Sequence, residues 1–281
     1  MAQHKESTVL KKCEAMGTRF EALLVGHDEE HLEAVAVAVI EEIIRLEGVL
    51  SRFDPRSEIA RINREAGHAP VRVDREVFAL LERCERARRS TDGFFDVTAS
   101  AHSPGAASDL RLDVEICAVQ FAGPGEALDL GGVGKGYALD RGREIMLRFG
   151  VTCGLLHGGT SSVLAVGAPT GKSGWPVAVR HPLTPDAAPV ARVELADRSL
   201  SCSAARHPGQ RQSDVVNPLT GRLLDGDAAC VTLAANATDA EIFSTALLAM
   251  GREEVKRYLE RAPRPGLVVG WFEPEVGFTW I

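Results

Sequence analysis

A cluster of glycines around one lysine is the first feature of this chain with chemical content. Asp129-Leu130-Gly131-Gly132-Val133-Gly134-Lys135-Gly136 stands between an expected strand, Ala127–Leu130, and an expected helix from about Lys135 to Phe149. A glycine turn between strand and helix lets backbone N–H groups approach phosphate oxygens, and the helix N-terminus favours negative charge there. Lys135 would add a full positive charge. The spacing is not that of a P-loop, because Gly136 stands where Ser or Thr is needed. Nor is it a dinucleotide fingerprint, because no third glycine falls in register. By itself the cluster fits a phosphate turn or a plain tight turn with a solvated lysine.

A second constellation is Ala237-Thr238-Asp239-Ala240-Glu241-Ile242-Phe243-Ser244-Thr245-Ala246. On a helix, Glu241 and Thr245 are four apart and project from one face. A carboxylate with a hydroxyl suits Mg²⁺, which takes oxygen ligands and keeps waters. Thr238-x-x-Glu241 is also a capping box, in which Glu241 would serve the backbone, and spacing alone favours that cap. Asp214-Val215-Val216-Asn217-Pro218-Leu219-Thr220-Gly221 reads as a short strand running into a turn. Phe94-Phe95-Asp96-Val97-Thr98 offers aromatic rings beside a carboxylate, for a flat ligand or for the core. His157-Gly158-Gly159-Thr160-Ser161-Ser162 is a further glycine turn, whose histidine either titrates at a ligand or is structural. No HExxH pair and no GxSxG elbow occurs, so neither a zinc protease nor a hydrolase triad is supported.

These groups must be held by a folded scaffold, and 281 residues with 45% hydrophobic and 25% charged content can supply one. The net charge of −7 argues against nucleic-acid binding, which needs a basic surface. The six cysteines form no CxxC pair and read as reduced thiols. The N-terminus has no apolar segment of signal-peptide type, and no run approaches the length of a membrane span, so the expectation is a cytoplasmic protein.

Along the chain, Thr18 to Gly26 reads as a strand, Glu29 to Leu50 as a long helix and Ser57 to Asn63 as a short one. Asp74 caps a helix running to about Ser90. Residues 101–126 read as a loop with one short strand. Short strands dominate from 153 to 235: Cys153–Leu156, Ser162–Val166, Pro176–Arg180, Val190–Leu195, Leu200–Ser203, Asp214–Val216 and Ala229–Ala234. Helices at Thr238 to Met250 and Glu253–Arg261 follow, then strands at Leu267–Trp271 and Gly277–Ile281. Early helices, many short mixed or antiparallel strands and no regular βαβ alternation predict an α+β fold, with residues 1–281 forming one compact unit.

In order along the chain, these segments resemble the ApbE-type FAD:protein FMN transferase family, from Met16 to about Gly251. Met16-Gly17-Thr18 with Phe20 resembles its first strand. Leu50-Ser51-Arg52-Phe53-Asp54-Pro55 through Ser57-Glu58-Ile59, with Asn63 in register, resembles its S-x-Y-D-P-x-S-E-I-x-x-L-N segment. Phe94 to Thr98 resembles A-F-D-x-T, and Leu128 to Asp140 is the most specific match. The resemblance implies FAD cradled by Met16, Phe53, Phe94, Phe95, Asp96, Asp129, Lys135 and Val216. It implies Mg²⁺ held at Gly132, Glu241 and Thr245, with Ser244 between. FMN would pass to a Ser or Thr of a partner flavoprotein, and AMP would leave.

The chain departs from the family in a shorter stretch at residues 101–126 and at four motif positions. The histidine of H-I-I-D-P-R-T-G is Asp214 and its aspartate is Asn217. The metal aspartate is Glu241, and N-A-G-G-D is Leu156-His157-Gly158-Gly159-Thr160. Lys135, with Asp214 or His157 as replacement base, is the expected catalytic set. The alternatives are a non-catalytic, flavin-sensing FAD binder, and a Mg²⁺-dependent FAD pyrophosphatase giving FMN and AMP.

Overall fold

The computed structural model of the chain describes residues 6–99, 110–184, 186–206 and 209–281; the Ser103-Pro104-Gly105 part of the expected loop lies outside them. The chain opens with a hairpin of β1 (Ser7–Ala15) and β2 (Thr18–Gly26), in register from Ser7↔Gly26 to Ala15↔Thr18. Its turn residues Met16 and Gly17 both have positive φ, 50° and 70°, the backbone that matches the twist of paired strands. Sequence reading misses β1, because Lys11 and Lys12 interrupt it and only Val9 and Ala15 are buried.

The helix α1 (Glu29–Leu50) is capped by Asp28 and buries Leu32, Val35, Ala36, Val39, Ile43, Leu46 and Leu50 along one stripe. Ser57 caps α2 (Glu58–Glu65), and Asp74 caps α3 (Arg75–Ser90) as expected. Between and after these helices, β3 (Val71–Arg72), β4 (Arg111–Asp113) and β5 (Ala118–Gln120) make a small sheet in the order β3-β5-β4. The expected loop therefore carries two short strands.

After the glycine cluster comes α4 (Gly134–Arg148), followed by Gly150 with φ 74°. The strand-rich half contains β6 (Gly154–Gly158), β7 (Ser162–Val166), β8 (Trp175–Val179), β9 (Ala191–Leu195) and β10 (Ser199–Ala204). It continues with β11 (Val216–Asn217), β12 (Arg222–Leu223) and β13 (Ala229–Ala234). The chain ends with α5 (Ala237–Met250), α6 (Arg252–Arg261), β14 (Val268–Glu273) and β15 (Gly277–Trp280).

Eight strands form one sheet in the order β1-β2-β6-β7-β10-β13-β14-β15, and every pairing among the described residues is antiparallel. Both faces are covered, so β7 is buried at all five positions. Leu164 and Val166 face the helix-side core, while Val163 and Ala165 join a second core with Trp175, Val177 and Leu195 of the β8–β9 hairpin. No helix among the described residues is long and apolar enough to cross a membrane. All six cysteines are free, and burial pushes the Cys84 and Cys202 thiols up to about 12.

One expected element is absent. Ala127–Leu130 is not a strand. Its backbone partners lie elsewhere: the Asn63 side chain accepts from Leu128 N at 2.7 Å and donates to Leu128 O at 3.0 Å, and Asp129 N donates to Val97 O at 2.6 Å. Asn63 thus holds the segment that enters the glycine turn. Leu128 is fully buried, so Asn63→Ala strands a buried donor and acceptor. Chemical denaturation should show a loss of about 1–3 kcal/mol; an unchanged midpoint would refute this role for Asn63.

Candidate functional site

The helices α4 and α5 cross close together, and a missing side chain permits it. A Cβ on Gly136 would lie 2.3 Å from the Ala237 carbonyl oxygen. Around this contact the helices are joined at two levels. Asp140 Oδ1 accepts from Ala237 N at 2.7 Å, and its Oδ2 accepts from Thr238 N at 2.9 Å and from the Thr238 hydroxyl. One turn away on each helix, Glu241 Oε2 accepts from Gly136 N at 2.5 Å and Oε1 pairs with the Lys135 ammonium. Burial raises the Asp140 carboxyl above the usual range, while the bonds from Thr238 and Ala237 pull against that shift.

The capping box is thereby corrected. The N-cap of α5 is Asn236, whose side chain accepts from Asp239 N, and Thr238 serves Asp140. Glu241 is buried at 3% exposure and bonds to another helix rather than to its own N-terminus. Sequence spacing cannot reveal that Asp140, 98 positions from Thr238, claims the threonine first.

Beside Glu241 lies a ladder of hydroxyls. Ser244 is fully buried, donates to Glu241 O at 3.1 Å, and meets Ser201 and Ser203 at 3.0 and 2.8 Å. Ser203 also reaches Thr245 Oγ1 at 3.2 Å. A Cβ at Gly132 would meet Thr245 Oγ1 at 3.4 Å, so the glycine turn rests on that threonine. Glu241, Thr245 and the Gly132 turn therefore converge. Among the described residues no three His, Cys, Asp or Glu side chains cluster as metal ligands. The donor set is one carboxylate with hydroxyl and backbone oxygens, which suits a hard cation such as Mg²⁺ rather than zinc.

Two cavities meet over this floor. The larger, about 700 Å³, is lined by Phe94, Phe95, Asp96, Gly132, Ser201, Ser203, Asp214, Val216, Glu241 and Thr245, among others. The smaller, about 270 Å³, is more apolar and is lined by Met16, Leu50 and Phe53. Arg52, Asp129, Gly131 and Lys135 line both. Together they match the size of an ordinary small-molecule site. At the junction, Asp129 Oδ1 accepts from Gly131 N at 2.9 Å and Oδ2 pairs with Arg52 at 3.0 Å. Met16 is held by Glu47 Oε1, which accepts its N–H at 2.7 Å. Asp96 Oδ1 accepts from Thr98 N and Oγ1 at 2.8 and 2.6 Å.

Most sequence-identified residues come together here, with two exceptions. Ser244 does not line either cavity; it sits behind the wall and orients the hydroxyl ladder. His157 does not line them either. It is on β6 opposite Glu21 and Val163, and burial lowers its pKa against the pull of Glu21. Asp214, by contrast, is exposed on the cavity wall and accepts from Gln210 Nε2 at 2.7 Å. Asn217 donates to Ala249 O at 3.1 Å and accepts from Leu219 N and Thr220 N. An aspartate there has no N–H for Ala249, so the amide ties this loop to α5. Arg52, Ser201 and Ser203 escape sequence reading. The two serines are spaced by two on a strand and so share a face, the one signal that pointed to them.

Several known proteins are similar to this chain. The ApbE family model matches residues 16–105 and 103–268. A FAD:protein FMN transferase of Klebsiella pneumoniae is 27% identical over 268 residues, covering 85% of this chain and 81% of that protein. One of Treponema pallidum is 28% identical over 272 residues, covering 80% and 75%. The crystal structure of the ApbE protein of Thermotoga maritima has the same fold, with a TM-score of 0.86 and 23% identity over 98% of this chain and 97% of that one.

Two outcomes follow from the packing. Gly136→Ala forces α4 and α5 apart and should cost about 1–3 kcal/mol of stability, read by denaturant unfolding. Burial lowers the His157 pKa in the folded chain, so the unfolded chain binds the extra proton first. Its contribution is complete above the ordinary histidine pKa of about 6.5 and is lost as pH falls below it. His157→Gln should flatten that part of the stability–pH curve; an identical slope would exclude the assignment.

Proposed function

This chain belongs to the ApbE family, and we propose that it is a FAD:protein FMN transferase, moving FMN from FAD to a Ser or Thr hydroxyl of a partner flavoprotein with release of AMP. The observation that carries the reading is the junction of two cavities over Lys135, Gly131 and the Glu241–Thr245 floor. A dinucleotide fits such a site with a ring system in each cavity and its pyrophosphate between them. Met16 and Phe53 line one side, and Phe94, Phe95, Asp96 and Val216 the other.

In this reading the acceptor oxygen bonds to the FMN phosphorus, the anhydride P–O bond breaks, and AMP carries away the electron pair. Lys135 stabilises charge on the phosphoryl oxygens. The Gly132 turn, Glu241 and Thr245 are the oxygen donors that would hold Mg²⁺. Bound there, the ion neutralises phosphoryl charge. That the Lys135 ammonium already sits against Glu241 supports a place for positive charge at this point. Asp214 takes the acceptor proton: it is exposed on the cavity wall, where an acceptor arriving from solvent would meet it. His157, on β6, lines neither cavity.

Incubation with FAD, Mg²⁺ and an acceptor flavoprotein should give AMP and protein-bound flavin in equal amounts. Lys135→Ala should lower the rate about a hundredfold. AMP with free FMN would instead establish hydrolysis, and intact bound FAD a binding protein.

A further inference from the structure

Two cations stand where the cavities meet, and they are committed differently. The Lys135 ammonium has three donors; it pairs with Glu241 Oε1 and lies 3.4 Å from Gly131 O. Arg52 has five donors in a planar fork, and the Asp129 pair at 3.0 Å uses one end, through Nη1. Its guanidinium lies over the Phe53 ring, 4.8 Å from the centroid, and its side chain is 40% exposed.

We propose that Arg52 is a binding group for the ligand's pyrophosphate, oriented by Asp129 on one edge and by the Phe53 ring beneath. This rests on the FAD reading above and adds to it a residue outside the glycine turn. The geometry favours it for three reasons. Arg52 is one of only four residues that line both cavities among the described residues, and so it stands where a ligand spanning them has its linker. Asp129 is fixed by its bond to Gly131 N, so a carboxylate anchored in the phosphate turn itself aims the guanidinium. An aimed planar fork contacts two phosphoryl oxygens at once, which a lysine does not.

The test is the affinity of wild type, Arg52→Gln and Arg52→Lys for FAD and for riboflavin, which has the ring and no phosphate, each at low and high salt. Arg52→Gln should weaken FAD about tenfold or more and leave riboflavin within about twofold, with the FAD loss shrinking as salt screens the charge. Arg52→Lys should recover only part of the affinity. An unchanged thermal midpoint checks that the variants are folded. Equal weakening of FAD and riboflavin would overturn the proposal, because Arg52 would then act on the ring through Phe53. Unchanged FAD affinity in Arg52→Gln would overturn it too. Absence of FAD binding by the wild type would overturn the FAD reading itself, a different failure.

Discussion

The contact of α4 with α5 at Gly136 sets the geometry of everything around the site. Helix axes approach to the distance their interfacial side chains allow, and here one position has none. That closeness brings the Gly136 N–H within reach of a carboxylate on the facing helix. It also places Asp140, one turn on, over the first N–H groups of α5. A helix N-terminus that would otherwise need its own caps is supplied from its neighbour and from Asn236. Arg83 braces the same end, donating to Asn236 and Asp239 at 2.5 and 2.8 Å. The N-terminal end of α5 is therefore fixed from three sides before any ligand arrives.

The same closeness fixes Glu241, one methylene longer than the aspartate of the resembled family. The extra methylene lets Glu241 extend to α4, where Gly136 N and Lys135 take its two oxygens. A buried carboxylate is tolerated only when its charge is matched and hydrogen-bonded, and both conditions are met. The hydroxyl ladder of Ser201, Ser203, Ser244 and Thr245 satisfies its members from within. The floor of the site is thus polar, joined to the sheet on one side and to α4 on the other.

Much of this was legible in the sequence because the relevant signals were local. The 3.6-residue stripe of α1, the cap Asp74 and the run of short strands after residue 153 each state their own conformation. Non-local partnerships were not legible. Thr238-x-x-Glu241 satisfies a local rule, yet Asp140 and Gly136 outcompete it from far along the chain. Ala127–Leu130 has the composition of a strand, but Asn63 and Val97 take its backbone bonds. The β1 strand escaped for the opposite reason, since a half-exposed strand carrying paired lysines has little pattern to read. At the site, Arg52 was passed over because its importance lies in standing at a junction, which is a property of space and not of spacing.

The residues around the larger cavity stand in two different settings. The floor of Ser201, Ser203, Glu241 and Thr245 is carried by β10 and α5, with Glu241 and Ser244 buried. Asp214 lies just before β11, a two-residue strand beside an exposed turn at Leu219 and Thr220. The loop nonetheless has to keep its register with the floor. Asn217 supplies this, since its amide N–H holds Ala249 at the end of the helix that carries Glu241 and Thr245. Asn217 does here what an aspartate, lacking the amide N–H, would not. It gives the exposed loop an anchor on α5, so that one helix positions both the buried carboxylate and the segment that presents Asp214.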